Sequence, residues 1–204
     1  MKKLIVAALI VASLLFAAIL AVTYTPDIPR ATTYAIRAMG DGNGSGVLIA
    51  PNYLLTAAHV ASSIKNGTIE YKGFKLPLEV VKIDEKNDIA LIKVLGINCP
   101  CAPIAEVNAL LGTNITTVGF PMHTVIKTQI VTHGVAQGNG HFTSPVGPGN
   151  SGGGVFNDKE ELVGIVSSIA IAPVGFLQII PLTHVMQAVE VKIIREFLLK
   201  DLGF

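Results

Sequence analysis

The sequence predicts an all-β fold, a sandwich or a pair of barrels. Three observations carry that reading. Beyond Tyr24, about a dozen short apolar runs follow one another, each bounded by turn residues. Twenty glycines and eleven prolines in 204 residues suit a turn-rich chain better than a helical one. Only one segment after Tyr24, at the chain's end, repeats its apolar residues at helical spacing.

The elements follow in order. Tyr34–Ala38, Gly46–Ala50 and Tyr53–Ala57 read as strands, separated by the turn Gly40-Asp41-Gly42-Asn43-Gly44 and by Pro51-Asn52. Thr68–Lys72, Leu78–Ile83 and Ile89–Val94 continue the pattern. The Pro-containing stretch Asn98–Pro103 divides the chain, and Ile115–Phe120, Val125–Val135, Gly154–Phe156, Leu162–Ile171 and Phe176–Ile180 follow it. Thr183 then caps a predicted helix over about 183–200, in which Met186, Val189, Ile193, Ile194, Phe197 and Leu198 share one face.

The first 25 residues stand apart. Lys2 and Lys3 precede the uncharged apolar run Leu4–Val22. At about 1.5 Å per residue such a helix reaches roughly 28 Å, close to a bilayer core. Ala21-Val22-Thr23 only imitates the small-residue cleavage triplet, so an uncleaved signal anchor and a cleaved signal peptide both remain open. The two lysines favour an inside N-terminus. Residues 26–204 are therefore expected on the non-cytoplasmic side, as one domain that is membrane-anchored or secreted.

Composition removes other classes. Fifteen Lys and Arg stand against fourteen Asp and Glu, for a net charge of +1, which leaves no basic stripe for nucleic acid. Charged residues at 14% and apolar residues at 50% exclude a disordered chain. The two cysteines, Cys99 and Cys101, cannot form a four-ligand zinc site alone. Free thiols, a disulfide and a metal contact remain open for them. No cofactor and no metal site is expected. His123, His133, His141 and His184 read as surface or loop histidines, and Asn43-Gly44-Ser45 has the form of a glycosylation sequon.

Three segments carry chemistry. In Gly149-Asn150-Ser151-Gly152-Gly153 the serine stands on a tight turn with no side chains crowding it. Such a turn exposes a hydroxyl and aims backbone N–H groups at one spot, as acyl transfer requires. In Leu54-Leu55-Thr56-Ala57-Ala58-His59-Val60 a histidine ends an apolar run. A serine hydroxyl at neutral pH needs a base, and neutral imidazole supplies one. In Asn87-Asp88-Ile89-Ala90-Leu91-Ile92 an acid stands before an aliphatic strand that would hold it in place, which ranks Asp88 ahead of Asp84 and Glu85 as partner of the imidazole.

Thr-Ala-Ala-His, Asn-Asp-Ile-Ala-Leu-Ile and Gly-Asn-Ser-Gly-Gly-Gly, in this order, resemble the chymotrypsin-like (trypsin-fold) serine proteases, and most of all their HtrA/Deg branch. The resemblance covers about residues 33–200. It implies two six-stranded antiparallel β-barrels, one over about 30–98 and one over about 104–182, with a C-terminal helix outside. It implies His59, Asp88 and Ser151 as the catalytic residues, and the N–H groups of Gly149 and Ser151 as the oxyanion hole. Polypeptides would be the substrates. Pro145, Ser167, Ser168 and Ile169 would form the substrate pocket. Pro145 cannot attract a basic side chain and Ile169 narrows the entrance, so small or medium aliphatic residues are expected before the scissile bond. A protease fold that binds peptides without cutting is the alternative. The chain stops before the peptide-binding PDZ domain of typical HtrA proteins, so a bare protease domain on an anchor is expected. Digestive members of the family carry Asp where this chain has Asn150, so activation by insertion of a new N-terminus is not expected.

Overall fold

The computed structural model describes residues 27–37, 43–64, 67–98, 100–121, 128–174 and 178–199. Leu4–Val22, Cys99 and His123 lie outside them. Among the described residues no helix is long and apolar enough to cross a membrane.

The described chain opens with a helix that the strand pattern did not announce, α1 (Ile28–Thr32). Asp27 caps it, its carboxylate accepting from the Arg30 N–H at 3.1 Å, and Pro29 occupies the first turn, where no N–H is needed. Seven strands follow: β1 (Thr33–Arg37), β2 (Asn43–Ala50), β3 (Tyr53–Thr56), β4 (Thr68–Tyr71), β5 (Phe74–Pro77), β6 (Glu79–Asp84) and β7 (Ile89–Lys93). They form one antiparallel sheet in the order β5-β4-β1-β2-β3-β7-β6. Six more strands, β8 (Asn114–Gly119), β9 (Ile130–Gly138), β10 (His141–Phe142), β11 (Gly154–Phe156), β12 (Leu162–Val174) and β13 (Gln178–Glu190), close a barrel in the order β10-β13-β12-β11-β8-β9.

The expectation of two six-stranded barrels therefore holds for the second unit and is corrected for the first. The first is a seven-stranded sheet that hydrogen bonds do not close. Its edge strands, β5 and β6, are separated in sequence only by Leu78. The chain itself thus joins the two edges, and the sheet must curl to allow it.

The C-terminal helix also begins later than its spacing predicted. α3 spans Val191–Leu199, and Thr183 to Glu190 belong to β13. Met186 and Val189 fit a helical face by coincidence of spacing. Pairing with β12 decides the outcome: Val189 lies opposite Ile165 and Ala188 opposite Val166, while Met186 and Ala188, two apart, are both buried. Cys101 is disulfide-bonded, which removes the free-thiol reading for it.

The core has three parts. Ile36, Leu48, Leu54, Ile69 and Ile92 fill the curled sheet. Ile115, Phe142, Val155 and Met186 fill the barrel. The third cluster joins the units, packing Val47, Leu55 and Leu91 of the sheet against Phe156 and Ile165 of the barrel. Ile194, Phe197 and Leu198 of α3 close that junction, and each is fully or almost fully buried. Burying such side chains contributes about 1.5–3 kcal/mol apiece, so the two units are held as one body. Three segments meet along the same junction: the one after β3, the turn between β6 and β7, and the loop between β10 and β11.

Candidate active site

His59 comes two residues after Ala57, which follows β3. It is the second residue of α2 (Ala58–Ser63), whose cap residue Ala57 offers no side-chain acceptor. The exposed N–H of the first turn is met instead by Asp88, whose Oδ1 accepts from the His59 backbone N–H at 3.1 Å. The same carboxylate takes the ring: His59 Nδ1 lies 2.9 Å from Oδ1 and 3.1 Å from Oδ2. An ionised carboxylate only accepts, so the proton sits on Nδ1 and Nε2 keeps its lone pair.

Asp88 is aimed by its turn. The Asp84 carboxylate accepts from the Asn87 N–H at 3.1 Å and from the Asn87 amide at 2.7 Å, which closes the loop ahead of β7. Asp88 then adopts a left-handed backbone, φ 52°, which Asp tolerates better than most residues. A third donor completes its shell, since the Ser167 hydroxyl of β12 donates to Asp88 Oδ2. Sequence reasoning placed Ser167 on the pocket wall and missed this bond.

These contacts set the protonation of the pair. The hydrogen bond to Asp88, more than burial or bare charge, raises the His59 pKa above the ordinary histidine value, and burial only partly offsets it. For Asp88, burial is the largest single influence and pushes its carboxyl up. The bonds from the His59 ring, Ser167 and the His59 N–H, together with the imidazole charge, outweigh burial and hold Asp88 below the usual carboxylate range. Asp84 is lowered too, chiefly by Asn87, but it points into its own turn and not at His59.

Ser151 stands at the end of the loop between β10 and β11. Gly149 at φ 99° and Gly152 at φ 83° give that loop its sharp turn. Gly152 also permits close packing, because a Cβ there would stand 2.1 Å from the Ser45 carbonyl oxygen and 2.2 Å from Thr56 Oγ1. The loop is pinned throughout. The Asn150 N–H donates to Gly147 O at 3.0 Å, Gly153 to Asn150 O at 2.7 Å, and Gly152 to Val166 O at 2.7 Å. Among the described residues the N–H groups of Gly149 and Ser151 donate to none. The Ser151 hydroxyl is turned onto the Ser167 carbonyl at 3.4 Å, not onto the imidazole.

His59, Asp88 and Ser151 line one cavity of about 320 Å³. Its walls include Ser167, Ser168 and Ile169 from β12, with Val166 beside them. Pro145 is exposed and does not line it. Its neighbour Val146, 8% exposed, does, followed by Gly147 and Pro148. Apart from His59 and Asp88, no lining side chain carries or gains a charge. Among the described residues no three His, Cys, Asp or Glu gather as metal ligands.

A closed antiparallel barrel packed on a curled sheet, with the chemistry at their junction, is the trypsin fold. Solved structures bear this out. The Rv3671c protease from Mycobacterium tuberculosis in its active form superposes with a TM-score of 0.73 at 18% identity, over 84% of this chain and 81% of that one. A serine endoprotease from Yersinia pestis gives 0.71 at 22% identity, over 85% and 65%. The chain belongs to the trypsin-like peptidase domain family, which matches residues 44–165. Among full sequences it is similar to the "Probable periplasmic serine endoprotease DegP-like" of Pseudomonas putida, at 30% identity over 74% of this chain and 34% of that protein. The chain thus spans about a third of the length of the curated relatives it matches.

Proposed function

We propose that the chain is a serine endopeptidase that cleaves polypeptides through an acyl-enzyme. The observation that carries this reading is the single cavity shared by the hydrogen-bonded His59–Asp88 pair and Ser151. Catalysis begins when the Ser151 hydroxyl leaves the Ser167 carbonyl and donates to His59 Nε2. Oγ attacks the scissile carbonyl carbon while Nε2 takes its proton. Asp88 keeps the proton on Nδ1 and stabilises the imidazolium. The N–H groups of Gly149 and Ser151 receive the oxyanion. The C–N bond breaks as Nε2 returns the proton to the leaving amine. Water, activated by the same imidazole, then hydrolyses the ester and regenerates Ser151.

The walls indicate the side chain accepted before the cleaved bond. Val146, Val166 and Ile169 are apolar, and among the described lining residues the one carboxylate, Asp88, is already taken by His59 and Ser167. Cleavage is therefore expected after Ala, Val and residues of similar size, with Arg substrates hydrolysed at most about 1% as well, since an unpaired charge in such a pocket is costly. A peptide-library profile measures this, and efficient cleavage after Arg would overturn the pocket assignment. Ile169→Gly should widen acceptance toward larger side chains.

Asn150 bears on activation. It is 2% exposed and neutral, so it offers no carboxylate to an inserted N-terminal ammonium. The bonds within and behind the loop hold it instead. A chain that begins at Asp27 and carries extra residues ahead of it should already be active. Active-site titration before and after removal of those residues tests this, and sites that appear only after removal would contradict it. The DegP-like relatives are described as periplasmic. Together with the Leu4–Val22 run, this favours a protease domain outside the cytoplasm, anchored or released.

A further inference from the structure

Ser45 lies in β2, ahead of all three catalytic positions in sequence, and is fully buried. Its N–H and hydroxyl both bond the nucleophile loop, and its hydroxyl and carbonyl also hold Phe120 and Thr56. β3 pairs with β2 only as far as Leu55, opposite Val47, and beyond Thr56 the chain turns into α2. The side of β2 left open beyond Val47 is filled by the nucleophile loop. There the Ser45 N–H donates to the Ser151 carbonyl at 2.8 Å. The Ser45 hydroxyl donates to the Gly149 carbonyl at 2.8 Å, across 104 residues of sequence. Its direction is fixed, because the same oxygen accepts from the Phe120 N–H at 2.9 Å. The Ser45 carbonyl accepts from Thr56 Oγ1 at 2.7 Å, which ties the residue to the strand that leads to His59.

The flanking glycines make this approach possible. A Cβ at Gly44 would meet Val60 at 2.6 Å and the Ser151 carbonyl at 3.2 Å, and one at Gly46 would meet Ile36 at 2.8 Å. One serine therefore grips two peptide units of the loop, the one after Gly149 and the one after Ser151. Between them lies the Asn150–Ser151 unit, which carries the Ser151 N–H, and just before them lies the Pro148–Gly149 unit, which carries the Gly149 N–H; the mechanism assigns both N–H groups to the oxyanion. A rotation of the Gly149–Asn150 peptide would turn its neighbours and misdirect those N–H groups. Ser45 is fully buried, which shuts its hydroxyl off from bulk solvent.

We propose that Ser45 is a positioning residue, which fixes the oxyanion-binding conformation of the Gly149–Ser151 loop through its hydroxyl on the Gly149 carbonyl. This rests on the reading of Ser151 as the nucleophile of a peptidase. The loss should fall on the transition state and not on ground-state binding. Ser45→Ala should lower kcat per titrated site by about 10- to 100-fold, somewhat less than the loss of a whole oxyanion donor, and change KM by less than about threefold. Its affinity for a peptide boronate, which forms a tetrahedral adduct, should fall by the same factor as kcat/KM. Ser45→Thr retains the hydroxyl and should restore kcat to within about threefold of wild type. If Ser45→Ala does not fold, Ser45→Cys, of similar volume but a weak donor, should show the same loss. A purely structural role would lower the melting temperature and leave kcat per titrated site unchanged. That result, in a wild-type protein that is active, would overturn the positioning role alone. A wild-type protein that no fluorophosphonate labels would overturn the peptidase reading, and this proposal with it.

Discussion

Ser151→Ala is expected to lower kcat by about 10⁶-fold and to leave the fold unchanged. The hydroxyl makes one long bond, to the Ser167 carbonyl at 3.4 Å, so its loss should cost the folded state less than about 1 kcal/mol. The hydrogen bonds that hold residues 149–153 are between backbone groups or come from the Ser45 hydroxyl, and all of them stay. The residual rate would come from the oxyanion donors and substrate binding, which need no nucleophile on the enzyme. Stopped assays on a cleavable peptide, with melting curves for both proteins, measure the two halves of the prediction. A variant that keeps a tenth of wild-type turnover would remove Ser151 from the chemistry.

Asp88→Asn is expected to cost about 10⁴-fold in kcat. Asp88 accepts from the His59 ring, the His59 N–H and Ser167, and an amide cannot accept at both terminal atoms. An amide NH₂ facing the ring would drive the imidazole proton to Nε2, where it blocks the attack it should assist. The pH profile adds a second signature. Neutral imidazole is the active form, so turnover falls as pH drops through the His59 pKa. The bond to Asp88 raises that pKa, which places the acid limb of wild type above the ordinary histidine value of about 6.5. Removing the carboxylate takes away the cause, so the limb of the residual activity should move to lower pH. Asp84→Asn is the control, because Asp84 bonds within its own turn. It should remain within about threefold of wild type. Reversal of the two results would transfer the role to Asp84.

What the sequence made legible was local. Ser151 stands among glycines, His59 at the end of an apolar run and Asp88 ahead of one, and each of these signals fits within about six residues. Ser45 carried no such signal. The partners of its hydroxyl are 104 and 75 residues away, and in sequence it reads only as the last residue of a sequon. Ser167 was placed near the substrate, but its bond to Asp88 spans two β-units and needs the fold to bring them together. Pro145 was expected in the pocket from the resemblance, and Val146 lines it instead. The segment from Thr183 to Glu190 satisfied helical spacing, and thirteen residues of pairing potential with β12 overrode it. The curled sheet depends on how β5 and β6 place their edges, which no apolar pattern records.

The central claim is that the His59–Asp88 pair activates Ser151. The most direct measurement is the rate at which a fluorophosphonate labels the protein across pH, with the labelled residue mapped by mass spectrometry. The account predicts a single adduct on Ser151, formed at a rate that falls below the raised His59 pKa and nearly vanishes in His59→Ala. Absence of an adduct, which a fold that binds peptides without cutting requires, or labelling at Ser151 that ignores both pH and His59, would contradict it.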